Sequence, residues 1–250
     1  MYLLFAWRYF KSKKSINAIN IIAWISVLAI AVGTAALIIV LSVFNGFEGL
    51  VKSLYGDFYA DIKVVSASGK YFHFTNDQQK LLSGFSSITH VSHIVEEKAV
   101  LANGDYQSII YLRGVDASYK QINNIQKHIE RGKYELGSAD APKLVLGSGV
   151  ENAIGANPAL NLDPLTIYLP NRDAKGTSID QAMLSYNAPS AGSFTIQQEF
   201  DNKYAFTNLA FMQYMLSLQP DECTAIEIKT NLPDDHSITE LKKKYPGSFR

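Results

Sequence analysis

The sequence has little of what marks a disulfide-stabilised protein or a nucleic-acid-binding protein. Its 250 residues include one cysteine, Cys223, which cannot form an internal disulfide or build a thiolate metal site alone. The 23 basic and 23 acidic residues give a formal net charge of zero. Because phosphate binding needs a clustered basic face, this balance argues against a nucleic-acid partner.

The sequence also lacks a recognisable catalytic or ligand-binding motif. Gly147–Gly149 and Gly155 fit neither the dinucleotide-binding nor the P-loop spacing, so we interpret them as a strand-to-helix turn. His90 and His93 precede Glu96–Glu97, but an offset of three in a strand places side chains on opposite faces, which favours surface histidines over a metal site. Neither GxSxG nor SxxK occurs. We therefore predict no catalytic residue, no metal and no cofactor.

What the sequence does contain is one long apolar run. Residues Ile21–Phe44 form a stretch of 24 residues without a charge. A helix of this length spans roughly 36 Å, enough to cross a hydrocarbon core about 30 Å thick. A cleaved signal peptide is the alternative, but its apolar region is shorter and ends in a small-x-small site, whereas Val43–Gly46 ends this run. The run therefore predicts a transmembrane helix at 21–44.

The charges that flank the apolar run predict its orientation. Arg8, Lys11, Lys13 and Lys14 precede it, and no acidic residue does. By the positive-inside rule the N-terminus stays in the cytoplasm, and the rest of the chain crosses the membrane. The same basic residues suit anionic lipid headgroups.

The leader at residues 1–20 has an amphipathic pattern. Leu3, Leu4, Trp7 and Phe10 recur at helical spacing, followed by basic residues. This pattern is typical of a helix that lies in the headgroup plane, and a disordered basic leader is the alternative.

The helical pattern continues past the membrane and predicts a stalk helix at 45–58. Its apolar residues lie on one stripe: Phe44, Phe47, Leu50, Val51, Leu54, Tyr55 and Phe58. Such a stripe needs a packing partner. The chain's own domain and a second stalk helix from another chain remain equal alternatives.

The remaining chain alternates short strands and helices, which predicts an α+β domain. A turn at Asn103–Asp105 joins two strands, and Thr75 is the expected N-cap of a helix. Strands are predicted at 61–67, 94–101, 107–115, 143–146, 165–169, 192–200 and 224–230. Further helices are predicted at 148–154, 209–218 and 237–245.

A long connection at Pro170–Ala191 is the main irregularity. Its sequence, PNRDAKGTSIDQAMLSYNAPSA, includes the apolar residues Met183, Leu184 and Tyr186, which a solvated linker would not need. Loops of this length are uncommon and are either functional or disordered. A partner-binding loop and a flexible insertion both remain open.

Two sequence strings carry a family resemblance. They are LSVFNGFE at Leu41–Glu48 and KLVLGSGVENAIGANPALNLDPLTIYLP at Lys143–Pro170. With the aromatic-basic leader and the exported α+β domain, the chain resembles the LolC/LolE-type lipoprotein-releasing permeases of the FtsX/MacB-like ABC transporter superfamily. The resemblance implies a MacB-like periplasmic domain after one membrane helix, with a Porter-like subdomain at 59–115 and 220–250 and a Sabre-like subdomain at 116–219.

The resemblance also implies a function in the bacterial inner membrane. Such a permease binds no ATP; it is driven by a cytoplasmic ABC ATPase and works with a second permease subunit. It extracts lipoproteins from the membrane and passes them to a periplasmic chaperone. Three further membrane helices are expected after the domain. The alternatives are a FtsX/MacB-like permease for efflux or cell-wall hydrolase regulation, and a single-pass periplasmic sensor.

The same resemblance assigns roles to two groups of residues. Stalk residues are expected to line a cavity through which acyl chains pass: Phe44, Phe47, Leu50, Val51 and Leu54. The long connection takes the place of a hook that docks the chaperone, with Met183, Leu184 and Tyr186 as its apolar anchors.

Overall fold

The computed structural model describes residues 2–11, 17–157, 164–171 and 183–231. The chain divides into two compact units, residues 1–53 and 54–250. The predicted helix at 237–245 lies outside the described residues.

The first unit is helical. Helix α1 is Tyr2–Lys11 and helix α2 is Asn17–Phe58, so the predicted membrane helix and stalk are one helix. Its segment Ile21–Phe58 is long and apolar enough to cross a membrane, and an 18-residue window within it has a mean hydropathy of 2.8. The hydroxyl of Thr34 donates to the carbonyl of Ile30 at 2.8 Å. A polar side chain is thereby satisfied within the helix, as a hydrocarbon environment requires.

A ten-stranded mixed sheet forms the centre of the second unit, and a two-stranded sheet accompanies it. In chain order the strands are β1 Ile62–Val65, β2 Phe72–His73, β3 Ile88–Asn103, β4 Tyr106–Val115, β5 Ile129–Gly132, β6 Leu144–Gly147, β7 Leu165–Pro170, β8 Met183–Ala188, β9 Ser190–Phe194, β10 Tyr204–Asn208, β11 Glu222–Cys223 and β12 Ala225–Thr230. The large sheet runs β1-β12-β3-β4-β10-β6-β9-β5, with β7 paired to β3 and β8 to β7.

Strand β3 organises the sheet. It pairs antiparallel with β4 along its second half through the predicted turn, where Gly104 adopts a φ of 57°. Glycine reaches this left-handed region without the strain that a side chain would impose. The opposite edge of β3 pairs first with β12 and then with β7. The β3–β4 hairpin therefore lies in the middle of the large sheet, with β12 and β7 beside β3 and β10 beside β4.

Short helices cover the sheet. They are α3 Asn76–Ser83, α4 Ser148–Ala153, α5 Gln198–Asp201 and α6 Leu209–Met215, with 3-10 turns at Ala117–Gln121 and Ile125–His128. Thr75 caps α3 in a capping box with Gln78, which confirms the predicted helix start. The α+β class is likewise confirmed.

Two apolar cores lie on the two faces of the sheet. One contains Leu112 and Ile226 with Met212 from α6. The other contains Phe58 from the end of α2 and Phe206. Successive strand residues alternate between these cores because side chains in a strand point to opposite faces.

One strand prediction is wrong at its C-terminal end. The strand expected at 192–200 ends at Phe194, and a turn leads into α5. The carboxylate of Asp201 accepts a hydrogen bond of 2.9 Å from the backbone N–H of Ile196, which stabilises the turn. The helical turn buries Phe200 completely, so its burial does not require a strand.

The predicted strand-to-helix turn at Gly147–Gly149 joins β6 to α4. A Cβ atom at Gly147 would lie 2.2 Å from the carbonyl oxygen of Asp201, and one at Gly149 would lie 1.8 Å from the side-chain oxygen of Asn202. Close packing therefore accounts for these glycines. Strands from both predicted subdomains share the large sheet, and the Porter-like and Sabre-like boundaries stay a prediction.

Candidate functional site

The end of α2, residues Leu54–Phe58, belongs to the second unit and packs within it through several aromatic and polar contacts. Phe58 is fully buried. Its ring stacks on that of Phe200 with centroids 4.0 Å apart. Tyr55 meets the same Phe200 ring edge-on at 5.5 Å, and its hydroxyl lies 3.2 Å from a carboxylate oxygen of Glu199. Aromatic packing thus fixes the end of the helix to α5.

Polar contacts fix the same helix end to the second 3-10 turn, Ile125–His128, and its N-cap residue Asn124. The carboxylate of Asp57 accepts a hydrogen bond of 2.8 Å from the side-chain amide of Asn124. Its other oxygen lies 3.0 Å from Nε2 of His128. The backbone carbonyl of Asp57 also accepts a hydrogen bond from the N–H of Asn124 at 3.0 Å. Asn124 therefore satisfies the helix-terminal carbonyl of Asp57, and the side chain of Asp57 holds the helix end to the turn.

A buried arginine lies beneath the helix end. The side chain of Arg113 on β4 is 1% exposed, and its guanidinium carbon is 5.3 Å from the ring centroid of Phe58 and 5.1 Å from that of Tyr204. Its Nε donates to Glu96 at 2.5 Å, and one terminal nitrogen donates to the hydroxyl of Tyr119 at 3.0 Å. A desolvated cation against aromatic faces is a favourable contact.

A second carboxyl group lies near the same guanidinium. Glu227 on β12 has an oxygen 3.4 Å from a terminal nitrogen of Arg113. Neither oxygen of Glu227 has a hydrogen-bond partner among the described residues. The cluster of Arg113, Glu96, Glu227 and Tyr119, hereafter the Arg113 cluster, therefore places one guanidinium between two acids.

The environment shifts the pKa values in the Arg113 cluster in different directions. Burial acts to raise the pKa of Glu96, but attraction to Arg113 and Lys63 outweighs it and lowers the pKa below its ordinary value. Burial raises the pKa of Glu227 above its ordinary value despite the nearby Arg113. Two acids beside one cation therefore have different affinities for a proton.

The predicted stalk residues differ in exposure. Phe44, Phe47 and Leu50 are exposed on α2, whereas Val51 and Leu54 are partly buried. Exposed large apolar side chains on one stripe need a partner or a lipid. Their role in an acyl-chain cavity stays a prediction.

The predicted docking residues lie on strand β8 and not in an irregular loop. Met183 pairs with Pro170, Leu184 with Leu169 and Tyr186 with Ile167. The prediction of one long loop is therefore wrong for residues 183–188, because pairing with β7 satisfies their backbone groups. Residues 172–182 lie outside the described part of the chain.

The three predicted anchors are also not equivalent. Met183 is exposed, whereas Leu184 and Tyr186 are partly buried. Tyr186 packs against the first core, with its ring 6.2 Å from that of Phe211 and edge-on to it. Tyr186 thus contributes to the fold, and Met183 is the anchor most available to a partner.

His93 and Glu97, two of the four residues weighed as a metal site, each contact a different partner. His93 lies 3.2 Å from a carboxylate oxygen of Asp116, and Glu97 contacts Lys70 and accepts a hydrogen bond from Tyr71 at 2.5 Å. Within the described ranges no group of three or more His, Cys, Asp or Glu side chains could hold a metal. Cys223 is buried, and burial raises the pKa of its thiol to about 12.

Sequence reasoning missed the Arg113 cluster. A signal for it exists in the sequence: Arg113 interrupts the apolar strand IIYLRGV, and Glu227 interrupts AIEIKT. A single charge in an otherwise buried strand indicates an internal ion pair. The choice of partner, however, depends on the register of strands that are far apart in the chain.

A family model described as the MacB-like periplasmic core domain matches residues 23–235. The chain is 24% identical over 232 residues to the lipoprotein-releasing system transmembrane protein LolE of Haemophilus influenzae, covering 91% of this chain and 54% of that protein. It is 24% identical over 222 residues to LolC of Neisseria meningitidis, covering 84% and 50%. It is 25% identical over 259 residues to LolC of Haemophilus influenzae, covering 98% and 59%. The chain thus spans little more than half the length of these relatives.

Two solved structures are also similar. The periplasmic region of MacB from Actinobacillus actinomycetemcomitans gives a TM-score of 0.49 at 13% identity, covering 78% of this chain and 87% of that one. The extracellular domain of the ABC-type transporter YknZ from Gram-positive bacteria gives a TM-score of 0.45 at 8% identity, covering 73% and 94%.

Proposed function

Because this chain belongs to the family of MacB-like periplasmic core domains, we propose that it is part of an ABC transporter permease that releases lipoproteins from the inner membrane. The named relatives LolE and LolC are described as components of a lipoprotein-releasing system. In this proposal a cytoplasmic ABC ATPase supplies the energy, and a second permease subunit completes the transporter. The N-terminus lies in the cytoplasm and the second unit lies in the periplasm.

One observation carries the proposal: α2 runs unbroken from Asn17 to Phe58, and its final residue is fully buried in the second unit. The helix contains no proline, the residue that most often breaks or kinks a helix. Phe58 contacts the ring of Phe200 and the guanidinium of Arg113. A displacement of Phe58 within the second unit would therefore be felt by α5 and β4, because close-packed protein interiors transmit strain.

The exposed stripe on α2 supplies the lipid-facing part of the proposal. Phe44, Phe47 and Leu50 are exposed, and Val51 and Leu54 continue the stripe. We assign this stripe to the wall of a cavity shared with the second permease subunit, where acyl chains of the lipoprotein pass. Apolar walls suit acyl chains because contact removes apolar surface from water.

The β7–β8 hairpin supplies the chaperone-docking part. Leu165 pairs with Ala188 at one end of the hairpin, and Pro170 pairs with Met183 at the other. The connection between the two strands therefore leaves from the end formed by Pro170 and Met183. We assign the connection between them to the hook that binds a periplasmic chaperone, with Met183 at its base. Met183, Leu184 and Tyr186 are the assigned apolar contacts, although Tyr186 also packs on the core.

The test is reconstitution of the full-length permease, its second subunit and its ATPase in liposomes that contain an acylated reporter lipoprotein. We expect ATP-dependent transfer of the reporter to a soluble chaperone. An ATPase variant that binds but does not hydrolyse ATP is the control and should not support repeated transfer. ATP hydrolysis without transfer would reject lipoprotein release and favour an efflux or cell-wall-regulating permease of the same architecture.

A further inference from the structure

The guanidinium of Arg113 has two carboxyl groups within reach and uses them unequally. Nε donates to Glu96 at 2.5 Å, whereas the nearest approach to Glu227 is 3.4 Å, from a terminal nitrogen. That terminal nitrogen already donates to the hydroxyl of Tyr119 at 3.0 Å. Glu96 is thus the occupied partner, and Glu227 is an acid beside the cation without a hydrogen bond to it.

Burying the carboxyl group of Glu227 in its present arrangement destabilises the folded state. Its side chain is 1% exposed, and both of its oxygens lack a hydrogen-bond partner among the described residues. Buried polar groups are normally hydrogen-bonded, and an apolar side chain would be more stable at such a position. The 3.4 Å ion pair with Arg113 leaves both oxygens of Glu227 without a hydrogen bond, so the present arrangement does not satisfy this carboxyl group.

The guanidinium of Arg113 packs against the ring of Phe58 at the end of α2, so a movement of either group would displace the other. Its central carbon is 5.3 Å from the centroid of the Phe58 ring and 5.1 Å from that of Tyr204. The ring of Phe58 also packs against the rings of Phe200 and Phe206. Closely packed groups shift between discrete arrangements and do not deform continuously.

We propose that Glu227 is a second docking position for the Arg113 guanidinium, so that Arg113 is a positioning residue that holds the end of α2 in two discrete states. In the structure Arg113 is paired with Glu96, and a shift of Phe58 would move the guanidinium onto Glu227. The use of these two states in transport rests on the proposed function. Their existence is a property of the second unit and is tested without an ATPase or a lipoprotein.

The test removes each acid in the full-length protein. Glu96→Leu abolishes the present acceptor, and Glu96→Leu with Glu227→Leu abolishes both. In the proposal Glu96→Leu lets Arg113 move to Glu227, so the folding equilibrium constant falls by less than about tenfold. The double variant leaves a buried cation without an acidic partner, and the constant falls by about a hundredfold or more.

Two spectroscopic measurements report the positions directly. In protein labelled with ¹⁵N-arginine, the Nε–H signal of Arg113 should stay slowly exchanging in Glu96→Leu at a changed chemical shift, and should be lost in the double variant. The backbone N–H of Tyr59 donates to the carbonyl of Tyr55 at 2.8 Å. Its exchange rate should change more than twofold in Glu96→Leu, because the helix end has moved.

The control is Glu97→Leu, which removes the adjacent acid that contacts Lys70 and Tyr71. It should leave the exchange of Tyr59 unchanged and combine additively with Glu227→Leu. Loss of the Arg113 signal in Glu96→Leu alone, or failure of that single variant to fold, would overturn the proposal, since Glu227 would not have replaced Glu96. Retention of the signal in the double variant would overturn it as well, since another acceptor would then be responsible.

Discussion

The ring of Phe58 lies parallel to that of Phe200, with centroids 4.0 Å apart and 3° between the ring planes. Phe58 is the last residue of α2, and Phe200 belongs to α5. The contact joins the last residue of α2 to a residue of the short helix between β9 and β10. It makes the helix end part of the second core and not a loose linker.

The first prediction concerns the energy of that contact. Phe58→Ala should lower the free energy of unfolding of the second unit by about 3–5 kcal/mol, because it removes a fully buried ring and leaves a cavity. Urea titration followed by the near-ultraviolet circular dichroism of tyrosine would measure it. Ile109→Ala is the control, because Ile109 is 73% exposed and its loss should cost less than about 0.5 kcal/mol. Equal losses in both variants would show that the Phe58 contact is not specific.

The second prediction concerns pH. Because the pKa of Glu227 is raised above its ordinary value of 4.5, its contribution to stability is present below pH 4.5 and is lost as the pH rises through the raised value. The melting temperature of Glu227→Gln, minus that of the wild type, should therefore increase as the pH rises above 4.5, because Gln does not ionise. The pKa of Glu96 is lowered, so its contribution is lost only as the pH falls below 4.5. Glu96→Gln should show the opposite trend, and parallel curves for all three proteins would contradict both assignments.

Local sequence signals predicted the elements that depend on near neighbours. The capping box at Thr75 and Gln78 and the turn at Gly104 each involve residues within a few positions of one another. The continuation of the membrane helix at 21–44 into the stalk at 45–58 followed from apolar content and helical spacing, although the helix begins earlier, at Asn17. In these cases the residues that determine the structure are adjacent in the chain.

The elements that sequence reasoning missed depend on distant pairings. Leu184, Tyr186 and Ala188 alternate with polar residues, which is a short local strand signal in β8. The strand itself is completed by antiparallel pairing with β7, which precedes it in the chain by more than ten residues. The Arg113 cluster forms because β4 and β12 both pair with β3, which brings Arg113 close to Glu227. No local pattern specifies the register that places these two charges together.

The third prediction concerns topology. A thiol reagent that cannot cross membranes should label Ile109→Cys in the full-length protein only from the periplasmic side. Ile109 is exposed, so the reaction is not limited by burial. Native Cys223 is a suitable background, since it is buried and its pKa is raised to about 12, which leaves little thiolate to react. Labelling from the cytoplasmic side would contradict the proposed orientation.

The fourth prediction concerns the stripe on α2. Cysteines at Phe47 or Leu50 should form crosslinks between the two permease subunits, because both side chains are exposed on the proposed cavity wall. Cysteines at Glu48 or Lys52 are the matched controls. These residues form an i,i+4 ion pair of 2.8 Å on another side of the helix and should crosslink weakly. Equal crosslinking on both sides would show that the stripe is not the subunit interface.

Leu50→Asp provides a functional version of the same test. A charge on the cavity wall would need to be desolvated when acyl chains pass, at a cost of several kcal/mol. We expect transfer of the reporter lipoprotein to fall at least tenfold while ATP hydrolysis by the partner continues. Lys52→Asp should have a smaller effect on transfer, and equal effects would argue against an apolar path.

The last prediction separates docking from folding on the β7–β8 hairpin. Met183 is exposed, so Met183→Ser should weaken chaperone binding by the full-length protein while the melting temperature changes little. Tyr186 packs edge-on against Phe211, and its hydroxyl lies 3.5 Å from the carbonyl oxygen of Met215. Tyr186→Ser should therefore cost about 1–3 kcal/mol of stability through lost packing. Affinity measured by surface plasmon resonance and stability measured by thermal denaturation distinguish the two effects. Unchanged binding in Met183→Ser, together with unchanged binding after the connection at 172–182 is replaced by a Gly-Ser turn, would show that the chaperone docks elsewhere.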